Sequence, residues 1–222
     1  MSFMVEGYAP SCRSVRENRP GFRHVGMAMT ATAPAVPDSP SPTISAAALI
    51  PPALAGGAVA LALGIYSRVH DATGSRIFDL GFSSLAAMKS WLATIAVSLA
   101  LVQLVSALAM FGRLPFVHLT PRWVPFAHRW TGTAAFLVSL PVAYHCLWSL
   151  GFETSSPRVV IHGIAGCLFY GAFTTKLLAL RSRRLPGWAL PVIGGTLVAG
   201  LVVIWMTSAL WFFNTVDFPG YH

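Results

Sequence analysis

Five long apolar runs follow one another along this sequence. They cover residues 45–66, 91–111, 124–150, 159–180 and 188–213. Each run has at least the roughly 20 residues that a helix needs to cross the hydrocarbon of a bilayer. A segment in lipid must pair its backbone groups internally, which favours helices. The pattern therefore predicts an all-α integral membrane bundle of about five transmembrane helices, in one domain over residues 45–213.

The composition supports a membrane protein. Hydrophobic residues make up 55% of the chain and charged residues only 10%, which is too apolar for a soluble domain. The formal net charge of +8 comes from Lys and Arg that lie mainly in the tail and at or between the ends of the apolar runs. Such residues set the topology of a membrane protein. We therefore expect a lipid bilayer as the partner and no nucleic acid.

The distribution of basic residues also predicts the orientation. With five spans, eleven of the 15 Lys and Arg residues lie on the side of the N-terminus and four on the other side. The positive-inside rule then places the N-terminus in the cytoplasm and the C-terminus outside, in a plasma membrane. Residues 1–44 are basic and rich in proline, which predicts a disordered tail. Residues 214–222 would form a short extracytoplasmic tail.

Two histidines are predicted at matching depths in neighbouring helices. His145 lies five residues before the end of the third run, and His162 lies three residues after the start of the fourth. At about 1.5 Å rise per residue, their depths differ by one turn at most. Histidine inside a membrane is costly unless it has a function. A short loop joins the two helices, so we expect them to be antiparallel neighbours, with His145 and His162 as the two axial ligands of one iron.

Small residues beside His162 would suit a flat macrocycle. Gly163 follows it directly, and Gly166 lies four residues on, on the same helix face, where a porphyrin edge could approach the backbone. Pro141 should kink the third helix before His145. These residues predict one haem b near the outer face. Two other interpretations stay open, namely hydrogen bonding between helices and a path for protons or substrate.

His128 and Arg129 lie at the other membrane face. His128 precedes His145 by 17 residues, about 25 Å along a helix, so the two cannot bind the same iron. An inner haem held by His128 and His118, a quinone or lipid-headgroup site that includes Arg129, and simple interfacial anchoring are all compatible with the sequence.

Two family resemblances bear on these residues. The segment His128-Arg129-Trp130-Thr131-Gly132 resembles the HR-x-[ST]-G signature of the cytochrome b subunit of succinate dehydrogenase, which implies a quinone nearby and a haem histidine on the next helix. The chain has five predicted spans where that family has three. A wider resemblance, to an uncharacterised family of small actinobacterial multi-pass membrane proteins, implies a bundle loosely similar to cytochrome b561 and ferric-reductase-type haem proteins. It is carried by residues 68–71, 127–132, 141–152, 160–166, 185–191 and 205–213.

Two functions follow as hypotheses. The first is a b-type cytochrome that holds one haem between His145 and His162 and transfers electrons, with a quinone and a redox protein as expected partners. Such a protein would be an electron-transfer component of an oxidoreductase. The alternative is a haem-free membrane scaffold or accessory subunit of a larger complex. No nucleotide-binding, hydrolase or zinc-protease motif occurs in the sequence.

Overall fold

A computed structural model of the chain describes residues 44–74, 78, 80–115, 121–182 and 184–215. The tail expected at residues 1–44 lies outside the described residues except for Ile44, and so do residues 216–222 of the expected C-terminal tail. Asn214 and Thr215, which the sequence assigns to that tail, belong instead to the last helix.

The described part of the chain contains five helices that are long and apolar enough to cross a membrane. They are α1 (Ala46–Val69), α2 (Leu85–Met110), α3 (Val124–Leu150), α4 (Pro157–Ala179) and α5 (Ala189–Thr215). The described residues form no strand. The predictions of an all-helical fold and of a multi-pass membrane protein are therefore confirmed.

Helix starts follow local chemistry more closely than they follow hydropathy. α2 begins at Leu85, six residues before its predicted start, because the Ser84 side chain caps it by accepting a hydrogen bond from Ala87 N at 3.1 Å. α1 opens with a 3₁₀ turn, Ala46–Leu49, and proline stands at the start of the α-helical part that follows. Proline also stands in the first turn of α3 and α4, where the missing N–H costs no hydrogen bond. α3 has its predicted bounds, and Gly151 follows it at φ +66°, a conformation that favours glycine.

Two helices widen near one end of the bundle. In α3, Pro141 lies inside the helix and is followed by a π-helical segment, His145–Leu150. In α5, a second π-helical turn covers Met206–Leu210. Insertions of this kind change which face the following side chains occupy, and they are frequent at functional sites. The sequence predicts a kink after Pro141. In the structure, the helix changes from α-helical to π-helical at His145.

The helices pack around a small core in which α1 lies against α4, α2 against α3 and α5, and α4 against α5. The core residues are Ala96, Val97, Ala100, Phe169, Leu197, Leu201 and Ile204. We call the end with the α1–α2 and α3–α4 connections the Arg158 end, and the opposite end the Arg184 end. Near the middle of the bundle α3 and α4 meet through the stacked rings of Phe136 and Phe173, 4.2 Å apart, and through a 2.9 Å hydrogen bond between the Ser139 and Tyr170 hydroxyls.

Candidate functional site

A cavity of about 360 Å³ lies inside the bundle, toward the Arg158 end. All five helices contribute to its walls. α3 and α4 line it from their contact near the middle of the bundle toward the Arg158 end. Most of the wall is apolar. Its polar side chains include Lys89, Glu153, Arg158, His162, Tyr170 and Thr207. A pocket of this size and character suits a small molecule or cofactor.

His162 is the histidine in this wall, and its ring is oriented by α5. Thr207 Oγ1 donates its one hydrogen to the Val203 carbonyl at 2.7 Å. The same oxygen therefore accepts from His162 Nδ1, which lies 3.2 Å away. In a neutral imidazole whose Nδ1 carries the hydrogen, Nε2 has the free lone pair. The network leaves Nε2 of His162 as the nitrogen that can bind a metal.

The two glycines that follow His162 both line the cavity, but they differ in role. A Cβ on Gly166 would meet nothing within 4 Å, so this glycine opens the wall. A Cβ on Gly163 would lie 2.9 Å from Cε2 of Phe152, so this glycine makes room for the Phe152 ring. Of the two glycines singled out in the sequence, only Gly166 leaves free space for a ligand.

Arg158 is held in place at the cavity wall. Its Nη1 donates to the Thr207 carbonyl, and its guanidinium carbon lies 4.0 Å from the centre of the Trp211 ring. The carbonyl belongs to the π-helical turn of α5, where the regular hydrogen-bond pattern changes. Lys89 and Glu153 also line the cavity. With Arg158, the wall thus carries two cations and one carboxylate, and this net positive charge in an otherwise apolar cavity favours a ligand with anionic groups.

His145 lies outside this cavity wall, although its helix neighbours Val142 and Cys146 line it. The side chain is fully buried, at 0% exposure, with the Phe78 ring edge-on at 4.6 Å. Its Nδ1 lies 2.9 Å from the Pro141 carbonyl, an acceptor, so Nδ1 carries the hydrogen. Its Nε2 is buried and has no hydrogen-bond partner. The structure thus brings His162, Gly163 and Gly166 together without His145, and the predicted pairing of His145 with His162 stays a prediction.

At the Arg184 end, His128 takes part in a polar contact between α2 and α3. The Ser106 hydroxyl lies 2.7 Å from His128 Nδ1. Gln103 of α2 donates to the His128 carbonyl and to the Thr131 hydroxyl. A Cβ on Gly132 would lie 2.9 Å from Oε1 of Gln103, so the glycine of the HRWTG segment makes room for this amide. The packing between α2 and α3 thus explains His128, Thr131 and Gly132 of this segment.

The two remaining residues of that segment, Arg129 and Trp130, are exposed. Arg129 is not among the residues that line the cavity, which lies toward the other end of the bundle. The quinone or lipid-headgroup role of His128 and Arg129 stays a prediction. Sequence reasoning missed Thr207 and Arg158, the residues that orient and neighbour His162. The one available signal was a pair of hydroxyl residues, Thr207 and Ser208, inside the apolar run of α5.

Replacing Gln103 by leucine should weaken the contact between α2 and α3. The variant loses two interhelical hydrogen bonds, and we expect a loss of about 1–2 kcal/mol in the free energy of unfolding. Unfolding of the purified protein in mixed micelles would measure it. Ser98→Ala is the matched control, because the Ser98 hydroxyl donates only to Thr94 O of its own helix at 2.8 Å. Equal stability of the two variants would contradict the role of Gln103.

Comparison with known proteins places the chain in a family. The profile of a family of unknown function, DUF6529, matches residues 49–220. The chain belongs to the DUF6529 family. No curated protein and no solved structure matches it. The DUF6529 match covers almost all of the five helices, together with the cavity and the polar contact around His128. The expectation of an uncharacterised family is confirmed, while the likeness to cytochrome b561 stays a prediction.

Proposed function

We propose that this DUF6529 protein is a membrane b-type cytochrome that holds one haem b in the cavity at the Arg158 end. The observation that carries the proposal is His162, which stands in the wall of an apolar intramembrane cavity with Nδ1 bound to Thr207. Histidines that bind metals usually donate their other ring N–H to an oxygen in this way. When bound, haem b supplies one-electron transfer at its iron.

The other walls fit the same cofactor. The apolar lining suits a porphyrin ring, and the open space at Gly166 allows a flat group to approach the α4 backbone. Lys89 and Arg158 would pair with the two propionate groups, since charge-assisted hydrogen bonds to carboxylates are strong. His162 would bind the iron. His145 also donates its Nδ1 hydrogen to a carbonyl, that of Pro141. Because His145 lies outside the cavity wall, the geometry supports His162 as the iron ligand more directly.

The orientation proposed from the basic residues gives this site a location. It puts the N-terminus in the cytoplasm and the Arg158 end at the outer face of the plasma membrane. A haem there would take electrons from a membrane quinone and pass them to a redox protein outside. In this proposal, His162 and the cavity determine whether haem is bound. The orientation of the helices in the membrane determines the direction of electron transfer.

The absorbance spectrum tests the proposal. We expect the full-length protein, purified in detergent, to show a Soret band that shifts on reduction with dithionite, with one haem per chain by the pyridine haemochrome assay. His162→Ala should remove most of this haem, because the iron loses its ligand in the cavity. His128→Ala is the histidine control at the opposite end of the bundle.

The pattern among variants separates the possible results. Loss of haem in His162→Ala and its retention in His145→Ala would support ligation from the cavity wall alone. Loss in both variants would support the pairing predicted from the sequence. A folded wild-type protein without a redox-sensitive Soret band would exclude haem.

A haem-free scaffold is the second candidate, and one observation favours it. Gly194 and Gly195 of α5 have nothing within 4 Å of the position that a Cβ would take. Small residues on an open helix face let another transmembrane helix approach closely. This function predicts a colourless protein that co-purifies with a stoichiometric partner. It also predicts that Gly195→Leu releases that partner.

A further inference from the structure

Two residues of α4, one helical turn apart, contact the same residue of α5. Arg158 and His162 are separated by four positions, so they lie on one face of α4. The Arg158 guanidinium donates to the Thr207 carbonyl, and His162 Nδ1 lies 3.2 Å from the Thr207 hydroxyl. All three residues line the cavity. α4 therefore contacts Thr207 at two points, the backbone carbonyl and the side-chain hydroxyl.

The π-helical turn of α5 makes the first of these contacts available. In a regular α-helix, the Trp211 N–H would donate to Thr207 O, four residues before it. Here the helix widens over Met206–Leu210, and the Trp211 N–H donates to Ser208 O. The Thr207 carbonyl accepts from Arg158, whose guanidinium also lies against the Trp211 ring. The π-helical turn thus supplies the acceptor through which Arg158 joins α4 to α5.

The second contact places a polarised acceptor beside the imidazole. The single hydrogen of the Thr207 hydroxyl is directed at carbonyls of its own helix, Val203 O at 2.7 Å and Ile204 O at 3.1 Å. A hydroxyl that donates in this way accepts more strongly, because successive hydrogen bonds polarise one another. Its lone pairs face His162 Nδ1, which must supply the hydrogen. A hydrogen-bonded Nδ1 makes a histidine a more basic ligand through Nε2.

We propose that Thr207, held in place by Arg158, is the positioning residue of His162 and lowers the reduction potential of the haem in the cavity. A more basic axial ligand favours ferric over ferrous iron, and hydrogen bonding to the ligand is one of the ways in which a protein adjusts a haem potential. The effect on the potential rests on the proposed haem. The position of the hydrogen on His162 is a property of the chain itself and does not.

A redox titration of the full-length protein in detergent, followed at the Soret band, tests the effect on the potential. Thr207→Val keeps the shape of the side chain without its oxygen, and should raise the midpoint potential and weaken haem binding by about 10-fold or more. Thr207→Ser keeps the hydroxyl and should behave like the wild type. Ser208→Ala is the matched control, because Ser208 lines the same cavity and its hydroxyl donates to Ile204 O of its own helix at 2.6 Å. A purely structural role of Thr207 would lower stability and leave the potential of the remaining haem unchanged.

A second measurement needs neither haem nor a folded Thr207→Val variant. Nitrogen-15 NMR of haem-free wild-type protein labelled at histidine, at about pH 9 where imidazole is neutral, should show His162 protonated on Nδ1 and unprotonated on Nε2. His162→Ala assigns the signal by its loss.

Three results would overturn the role of Thr207. They are an unchanged potential in Thr207→Val, a Thr207→Ser protein that resembles Thr207→Val, and a wild-type His162 protonated on Nε2. A colourless wild-type protein would refute the haem and with it the effect on the potential. A hydrogen on Nδ1 of His162 in that protein would still support Thr207 as its positioning residue.

Discussion

Gly56→Ala should destabilise this protein more than any other single methyl group added to a helix face. A Cβ at Gly56 would overlap Oγ1 of Thr175 and the carbonyl oxygen of Gly171, both on α4. The packing is equally tight at Gly171 of α4, where a Cβ would lie 2.6 Å from Gly56 O and 2.9 Å from the Ala60 Cβ. We expect the free energy of unfolding to fall by about 3 kcal/mol, the upper part of the usual range for overpacking.

The large expected loss of stability in Gly56→Ala follows from the atoms that α4 places against Gly56. The nearest α4 atoms include backbone, which cannot rotate away as the end of a long side chain can. Helices in a membrane associate through close packing because lipid tails are as apolar as leucine, so no hydrophobic gain offsets a wider crossing. The Thr175 hydroxyl is itself held by a 3.0 Å hydrogen bond to Gly171 O. α1 and α4 must therefore separate or change their crossing.

Gly57→Ala is the matched control, one residue along the same helix. A Cβ there meets nothing within 4 Å, and alanine is the better helix former by about 1 kcal/mol. Unfolding by denaturant in mixed micelles would compare both variants with the wild type. A Gly56→Ala protein as stable as Gly57→Ala would show that α1 does not cross α4 at these glycines.

Gly166→Leu should fill part of the cavity at the Arg158 end while leaving the fold intact. The position of its Cβ is open, so a leucine side chain can extend into the cavity and occupy part of its 360 Å³. Leucine is also a better helix former than glycine. If haem b is the ligand, we expect haem per chain to fall by roughly 10-fold or more, which corresponds to a loss of at least about 1.4 kcal/mol in binding free energy.

The pyridine haemochrome assay on purified protein measures this loss, and thermal unfolding in detergent checks the fold. Gly195→Leu adds the same side chain to α5 at an exposed position with nothing within 4 Å, and should keep the wild-type haem content. A folded Gly166→Leu protein with a full complement of haem would mean that haem is bound elsewhere. His145, which lies at the same end of the bundle and has a buried Nε2 without a hydrogen-bond partner, would then be the first alternative ligand.

Depth along each helix was predictable, because the rise per residue is nearly constant. The sequence placed His145 near the end of α3 and His162 near the start of α4, and both lie at the Arg158 end in the structure. It also placed His128 at the opposite end. Rotation about each helix axis was not predictable, since a π-helical segment begins at His145 itself. This segment follows Pro141, and His145 lies outside the wall that its neighbours Val142 and Cys146 form.

The sequence likewise predicted only some of the contacts between helices. A short connection predicted α3 and α4 as antiparallel neighbours, and they do meet near Phe136 and Phe173. Toward the Arg158 end, however, both helices line the cavity and α4 packs against α1 and α5. The reason is the close crossing at Gly56 and Gly171, a contact between residues far apart in the chain.

The sequence alone determined that this DUF6529 chain is an all-helical bundle with five apolar helices, because hydrocarbon leaves an apolar run of that length little choice but a helix. It also determined the depths of His128, His145 and His162 along their helices. Only the tertiary structure decided which of them face a common space, because helix rotation depends on contacts between distant residues. Those contacts put His162 in the cavity wall and leave His145 outside it, packed against Phe78.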